Sequence, residues 1–218
     1  MIPFADRRSA GRELAAELER WRGTDAVVLG IPRGGVVVAA AVAEALGLEL
    51  DAVVVRKLGA SGHKEYAVGA IADGVRIVTP GAMRWAGMSS RDLERVEAAE
   101  RDELARRTDA FGSASVELSG RTAIVVDDGV ATGASAIAAC RALRARDPKQ
   151  IVLAVPVAPE HWEPPADTVD EFVCPYREAD FWAVGQYYDD FRQTTDAEVL
   201  ALLRAAPTGS GADEEAGP

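Results

Sequence analysis

Cysteine is almost missing from this 218-residue chain: Cys140 and Cys174 are the only two. They give neither a disulfide framework nor metal-ligand spacing, so both read as small core residues. No uninterrupted apolar run approaches the length of a membrane span, and the opening MIPFADRRSAGREL lacks the apolar stretch of a secretory leader. A cytoplasmic domain without membrane contact is therefore expected. Positive charge is also short, with 24 Lys and Arg against 35 Asp and Glu and a net charge of −11. That balance argues against nucleic-acid binding, which relies on cations neutralising phosphates. Lysine is the scarcest cation: Lys57, Lys64 and Lys149 are the only three, and His63 and His161 the only two histidines. Two of those lysines and one histidine fall in the single stretch RKLGASGHK (56–64).

What is present is enough apolar residue, 48%, to fill the core of one α/β domain. Residues 7–22 carry Leu14, Leu18 and Trp21 at helical spacing. AVVLGIPRGG follows as a short apolar strand running into Pro and two glycines, and 36–47 reads as a buried helix stopped by Gly47. DAVVV (51–55) is a second buried strand. Continuous rather than alternating apolar strands, joined through a helix, predict a parallel sheet covered on both faces. Further along, 69–78 reads as a hairpin turning at Asp73-Gly74, and 89–111 as a charged helix capped by Ser89 or Ser90. A strand is expected over 121–126, a helix over 135–146, and strands over 150–158 and 168–175. One domain spans 1–206, and 207–218 has the composition of a disordered tail.

Three loops fall at carboxyl ends of strands, where open parallel sheets bind ligands: IPRGG, RKLGASGHK and DDGVATGAS. In the last, Gly129, Ala131, Gly133 and Ala134 leave backbone amides approachable, and a helix starting near Ser135 adds its free amides and positive dipole end. Thr132 and Ser135 add hydroxyls. Such a cradle suits a phosphate. Asp127 and Asp128 cannot bind phosphate, but they accept hydrogen bonds from vicinal hydroxyls or hold hydrated Mg²⁺. Phosphate donors beside diol acceptors describe a sugar phosphate. The loop lacks the lysine of a Walker A motif, the GxGxxG of a dinucleotide fold and the Asp-x-Asp of a haloacid-dehalogenase phosphatase. A bland alternative, in which the aspartates are turn or cap residues, suits one Asp better than the whole pattern.

VVDDGVATGAS resembles the phosphoribosyl-pyrophosphate (PRPP) motif of type I phosphoribosyltransferases. IPRGG resembles their pyrophosphate loop, and VVVRKLG the strand leading to their flexible catalytic loop. The chain as a whole, including AVGAI and VGQYYDDFRQTTDAEV, is similar to a bacterial group known only as predicted phosphoribosyltransferases. The resemblance implies an open, mainly parallel Rossmann-like sheet with helices on both faces and a small hood. It assigns the ribose hydroxyls, and Mg²⁺ through water, to Asp127 and Asp128, and the 5′-phosphate to Ala131, Thr132, Gly133, Ala134 and Ser135. Arg33 and Gly34 would contact pyrophosphate, which Arg56, Lys57, His63 and Lys64 would neutralise during catalysis.

In that family a hood recognises the acceptor base. Candidates here are 80–111 and the aromatic-rich 176–195, where Phe181, Trp182, Tyr187 or Tyr188 could stack on a planar ring. The implied activity is Mg²⁺-dependent transfer of phosphoribose from PRPP to a nitrogenous base. A regulatory protein that binds PRPP without turnover and a sugar-phosphate hydrolase are the rival readings. A homodimer is a further expectation from the resemblance.

Overall fold

The computed structural model describes residues 3–60, 63–111 and 116–206, and for 63–66 the backbone alone. The expected tail, 207–218, lies outside the described residues. A five-stranded sheet, every pairing parallel, runs β2-β1-β6-β7-β9, with β1 (Val27–Gly30), β2 (Glu49–Ala52), β6 (Thr122–Val126), β7 (Gln150–Ala154) and β9 (Glu171–Val173).

The central strands β1, β6 and β7 are mostly apolar because both faces are covered, the polar Thr122 and Gln150 standing at their first positions. Val27, Leu29, Ala123 and Val125 pack with α5 (Ala134–Arg144), whereas Val28, Ile124 and Val126 pack with α1 (Arg7–Glu17) and α2 (Gly34–Leu46). This is the α/β architecture expected from unbroken apolar strands. Asp6 caps α1, accepting the Ser9 amide at 2.7 Å. The helix ends at Glu17, short of the expected residue 22, and a 3-10 turn over Glu19–Trp21 keeps Trp21 in the same core. Gly47 stops α2 at φ 65°, a left-handed conformation that glycine adopts freely.

Two expectations are corrected. The run 51–55 does not form one strand: β2 ends at Ala52, and β3 (Val55–Ala60) enters a separate antiparallel sheet with β4 (His63–Ala72) and β5 (Val75–Val78). Arg56 and Lys57 are therefore strand residues, paired opposite Ile71 and Ala70, rather than part of a loop. The run 150–158 also divides. Pro156 cannot donate a ladder hydrogen bond, and the chain resumes as β8 (Val157–Pro159), paired with β10 (Tyr176–Glu178). The hairpin at Asp73-Gly74 forms between β4 and β5, with Gly74 at φ 64°. After α3 (Pro80–Trp85), the charged helix α4 (Ser90–Phe111) starts from Ser89, whose hydroxyl accepts the Asp92 amide at 3.2 Å. It packs Leu93, Leu104 and Phe111 against β3 and β4. The last helix, α6 (Asp196–Ala205), follows a Thr195 cap.

Candidate active site

Gly30 pairs with Val126, so β1 and β6 end at one level and their loops meet at the same sheet edge. The Ile31 amide donates to the Val126 carbonyl at 2.9 Å and fixes that junction. Because α2 and α5 follow these strands directly, both present their N-terminal amides to this edge, where the dipole favours anions. The Pro32–Arg33 peptide bond is cis, and Gly133 caps α5 at φ 77°.

The two glycines of IPRGG do more than expose amides. A Cβ on Gly35 would lie 2.7 Å from the Val126 carbonyl oxygen and 2.9 Å from Asp127 Oδ1. One on Gly34 would lie 2.1 Å from Asp128 Oδ2. Only glycine lets α2 abut the acid pair at this distance.

The aspartates have different surroundings. Asp127 Oδ1 accepts the Asp128 amide at 2.9 Å. Burial, and then the neighbouring Asp128 charge, push its carboxyl well above the usual carboxylate range, although Lys57 and Arg7 oppose this. Asp128 Oδ2 instead receives Arg7 Nε at 2.8 Å, and its backbone carbonyl accepts the Tyr188 hydroxyl at 2.6 Å. Sequence reading missed Arg7. It sits 121 residues from its partner, in a helix whose pattern signals only packing.

Two cavities open at this edge. One, of about 560 Å³, is lined by the acid pair, the Gly129–Gly133 loop with the first turn of α5, and Trp182, Val184 and Phe191. The other, of about 660 Å³, is lined by Arg56, Gly59, Glu100 and Arg107. Residues 31–33, Lys57 and Ser135 line both. Lys57 is exposed, and among the described residues it makes no ion pair. Arg56 donates to Glu100 on α4 at 2.7 Å, and Arg33 lies 3.7 Å from Asp196 on α6. Ala131 and Thr132 are exposed in the loop. Gly133 is buried against Trp162, whose Cζ2 would be 2.2 Å from an added Cβ. Trp162 Nε1 also donates to the Thr132 carbonyl at 3.4 Å.

The structure thus brings together Arg33, Gly34, Lys57, Asp127, Asp128 and residues 131–135, with Arg56 on the adjoining cavity. His63 and Lys64 lie in β4, and their side chains fall outside the described residues.

The stacking candidates separate. Trp182 is 89% exposed at the cavity rim, with its amide donating to Gln186 Oε1 at 3.0 Å. Tyr187 and Tyr188 are only 6% and 4% exposed, in a cluster with Phe4. Their rings are committed to packing, which removes both from the stacking candidates. Phe181 stacks on Tyr187 at 5.3 Å. Phe191, missed in the sequence, lines the cavity instead. The second hood candidate, through α4, borders the cavity of Arg56 and Lys57 rather than that of Trp182.

Asp127 and Asp128 fit a hydrated Mg²⁺: their oxygens are hard donors, and this ion commonly keeps waters and uses one or two carboxylates beside substrate phosphates. Among the described residues no group of three acidic, Cys or His side chains forms a cage for a metal.

Residues 6–192 match the family model described as a phosphoribosyl transferase domain. The chain belongs to the phosphoribosyltransferase family. It is 46% identical over 207 residues to a curated Mycobacterium tuberculosis (strain H37Rv) protein named for phosphoribosyl transfer, covering 93% of this chain and 47% of that protein. The same identity and coverage hold for the strain CDC 1551 counterpart. The chain thus spans about half the length of the curated relatives it matches. A crystal structure from Thermus thermophilus is 42% identical, covers 94% of this chain and 99% of its own, and superposes with a TM-score of 0.74. The matched phosphoribosyltransferase region contains Arg7, the acid pair and Phe191, and it stops before α6.

Proposed function

We propose that this chain is a Mg²⁺-dependent phosphoribosyltransferase, moving the 5-phosphoribosyl group of PRPP to a nitrogenous base and releasing pyrophosphate. The observation that carries this reading is the pair of adjoining cavities. One joins a phosphate cradle to two diol acceptors; the other collects cations; Arg33 and Lys57 border both. PRPP has the same division, with a 5′-phosphate and a diol at one end and pyrophosphate at the other.

Asp127 and Asp128 would accept the ribose hydroxyls, and amides of residues 131–135 with the Thr132 and Ser135 hydroxyls would hold the 5′-phosphate. As the bond to pyrophosphate breaks, positive charge develops on C1 and the ring oxygen, and negative charge on the departing group. Lys57, Arg33 and Arg56 are placed to stabilise that negative charge, so catalysis is mainly electrostatic. Mg²⁺, held by Asp127 and Asp128 through water, would add neutralisation of the phosphates when bound. Trp182 and Phe191, at the opposite rim, are candidates to stack on the acceptor.

A second reading, a PRPP-binding regulatory protein without turnover, gains support from the Arg56–Glu100 pair, which already neutralises one proposed catalytic cation. Incubation with PRPP, Mg²⁺ and a panel of bases, with pyrophosphate release as the readout, separates the two. Release dependent on one base supports the transferase. Tight PRPP binding without release across a broad panel supports the regulator, and failure to bind PRPP removes both.

A further inference from the structure

The Arg7 guanidinium is one of the few buried charges, with the residue only 9% exposed. It is held on three sides. Nε donates to Asp128 Oδ2 at 2.8 Å, Nη1 donates to the Arg192 carbonyl at 2.8 Å, and the guanidinium lies 3.9 Å from the centre of the Phe191 ring. Tyr188 flanks it at 6.0 Å and donates to the Asp128 carbonyl. Gly34 lies beside the same contact: a Cβ there would come within 2.7 Å of Arg7 Nε.

We infer that Arg7 is a positioning residue that acts through Asp128, presenting one carboxylate oxygen to the ligand and tying the Phe191 wall of the cavity to the acid pair. The inference rests on reading this cleft as the PRPP site. The geometry gives Arg7 three effects at once. With Oδ2 occupied, Asp128 has Oδ1 left for a ribose hydroxyl, so its orientation is set before the ligand arrives. A fixed positive charge also offsets the repulsion between adjacent carboxylates, which otherwise disfavours two ionised groups at the end of one strand. Finally, Phe191 and Arg192 belong to the segment facing the acceptor side, so the same guanidinium sets the distance between that wall and the diol acceptors. A lysine has one compact donor group and cannot copy the forked contact to a carboxylate and a carbonyl.

The test is a double-mutant cycle on PRPP binding in the presence of Mg²⁺, measured calorimetrically on the full chain, with melting curves on each variant. Arg7→Gln is expected to weaken PRPP binding by about 10- to 100-fold, the usual effect of removing a group that orients a binding carboxylate. Arg7→Lys is expected to recover part of that loss. In an Asp128→Asn background, Arg7→Gln should add no more than about twofold, because its effect passes through the same carboxylate. A purely structural role predicts losses that multiply, and this result overturns the inference while leaving the PRPP reading intact. Binding by Arg7→Gln within twofold of wild type overturns it as well. If Arg7→Gln melts below the working temperature, the same cycle run with Arg7→Lys decides by the same criterion. Wild-type protein that binds no PRPP overturns the reading of the site, and this inference with it.

Discussion

Alanine at position 133 tests whether the proposed phosphate loop is shaped by the wall behind it. Gly133 has φ 77°, and its missing Cβ would lie 2.2 Å from Trp162 Cζ2 and 2.7 Å from Cε2. Holding an L-residue in the left-handed region costs about 1–2 kcal/mol. Forcing an atom into an occupied space costs about 1–3 kcal/mol more. The Trp162 ring is itself packed against Phe172 at 5.1 Å and bonded to the Thr132 carbonyl, so moving it disturbs the loop. The combined cost, roughly 2–5 kcal/mol, corresponds to a melting shift of about 5–15 °C for a domain of this size. Ribose 5-phosphate binding, measured by calorimetry, should weaken by about tenfold or more, because the loop amides no longer converge on one phosphate. In a Trp162→Ala background the clash disappears, and Gly133→Ala should cost only the backbone component, about 1–2 kcal/mol. Equal costs in both backgrounds would refute the role of Trp162 as the wall. Unchanged melting and unchanged phosphate affinity in Gly133→Ala would refute the loop geometry altogether.

Two further outcomes follow from the charges. Lys57→Ala should lower kcat more than it raises KM for PRPP, because the exposed ammonium between the cavities strengthens its contact as pyrophosphate leaves; equal losses in kcat and in PRPP affinity would remove that role. Asp127→Asn should weaken PRPP binding yet raise the melting temperature at neutral pH. Burial lifts the Asp127 carboxyl above its ordinary 3.8, so between that value and its folded pKa the native chain holds a proton that the unfolded chain has released. Stability contributed by this group is therefore lost as pH rises through that window. The wild-type melting temperature should fall relative to the Asn variant across it, and parallel pH profiles would count against the buried-acid assignment.

The chain order of the motifs carried most of the architecture. Val27–Gly30 and Thr122–Val126 are buried at every position and apolar but for Thr122, because each has a helix on either side, and that pattern is local. The small-residue turn proposed to take phosphate was legible as a turn, since it lies between a buried strand and a helix, with Ala131 and Thr132 exposed. Sheet membership was not legible. Val53 and Val54 look like a continuing strand, yet the chain changes sheets there, and an apolar run cannot say which partner it will pair with. The aromatic segment misled for a related reason. Tyr187 and Tyr188 are amphipathic and fit either a ligand or a core, and the choice is made by Phe4, far away in sequence. Arg7 and Trp162 left no local trace, because each owes its place to a residue on another element.

In a chain with a net charge of −11, most of the described cations around the proposed anion site are already kept by carboxylates. Arg7 holds Asp128, Arg56 holds Glu100, Arg107 holds Glu103, and Arg33 lies near Asp196. A phosphate that recruits one of these arginines must displace a carboxylate already bound, which lowers the net gain of the new contact. Lys57 makes no such pair among the described residues, and backbone amides at the starts of α2 and α5 carry no counterion to displace. Among the described residues the free contributions at the proposed site therefore come from the amides and from Lys57, while the arginines contribute by exchange. On the proposed PRPP reading, this arrangement favours a ligand with several phosphates over a single phosphate: a polyanion can satisfy Lys57 and both helix ends while offsetting the exchange at more than one arginine. A monophosphate reaches only the loop.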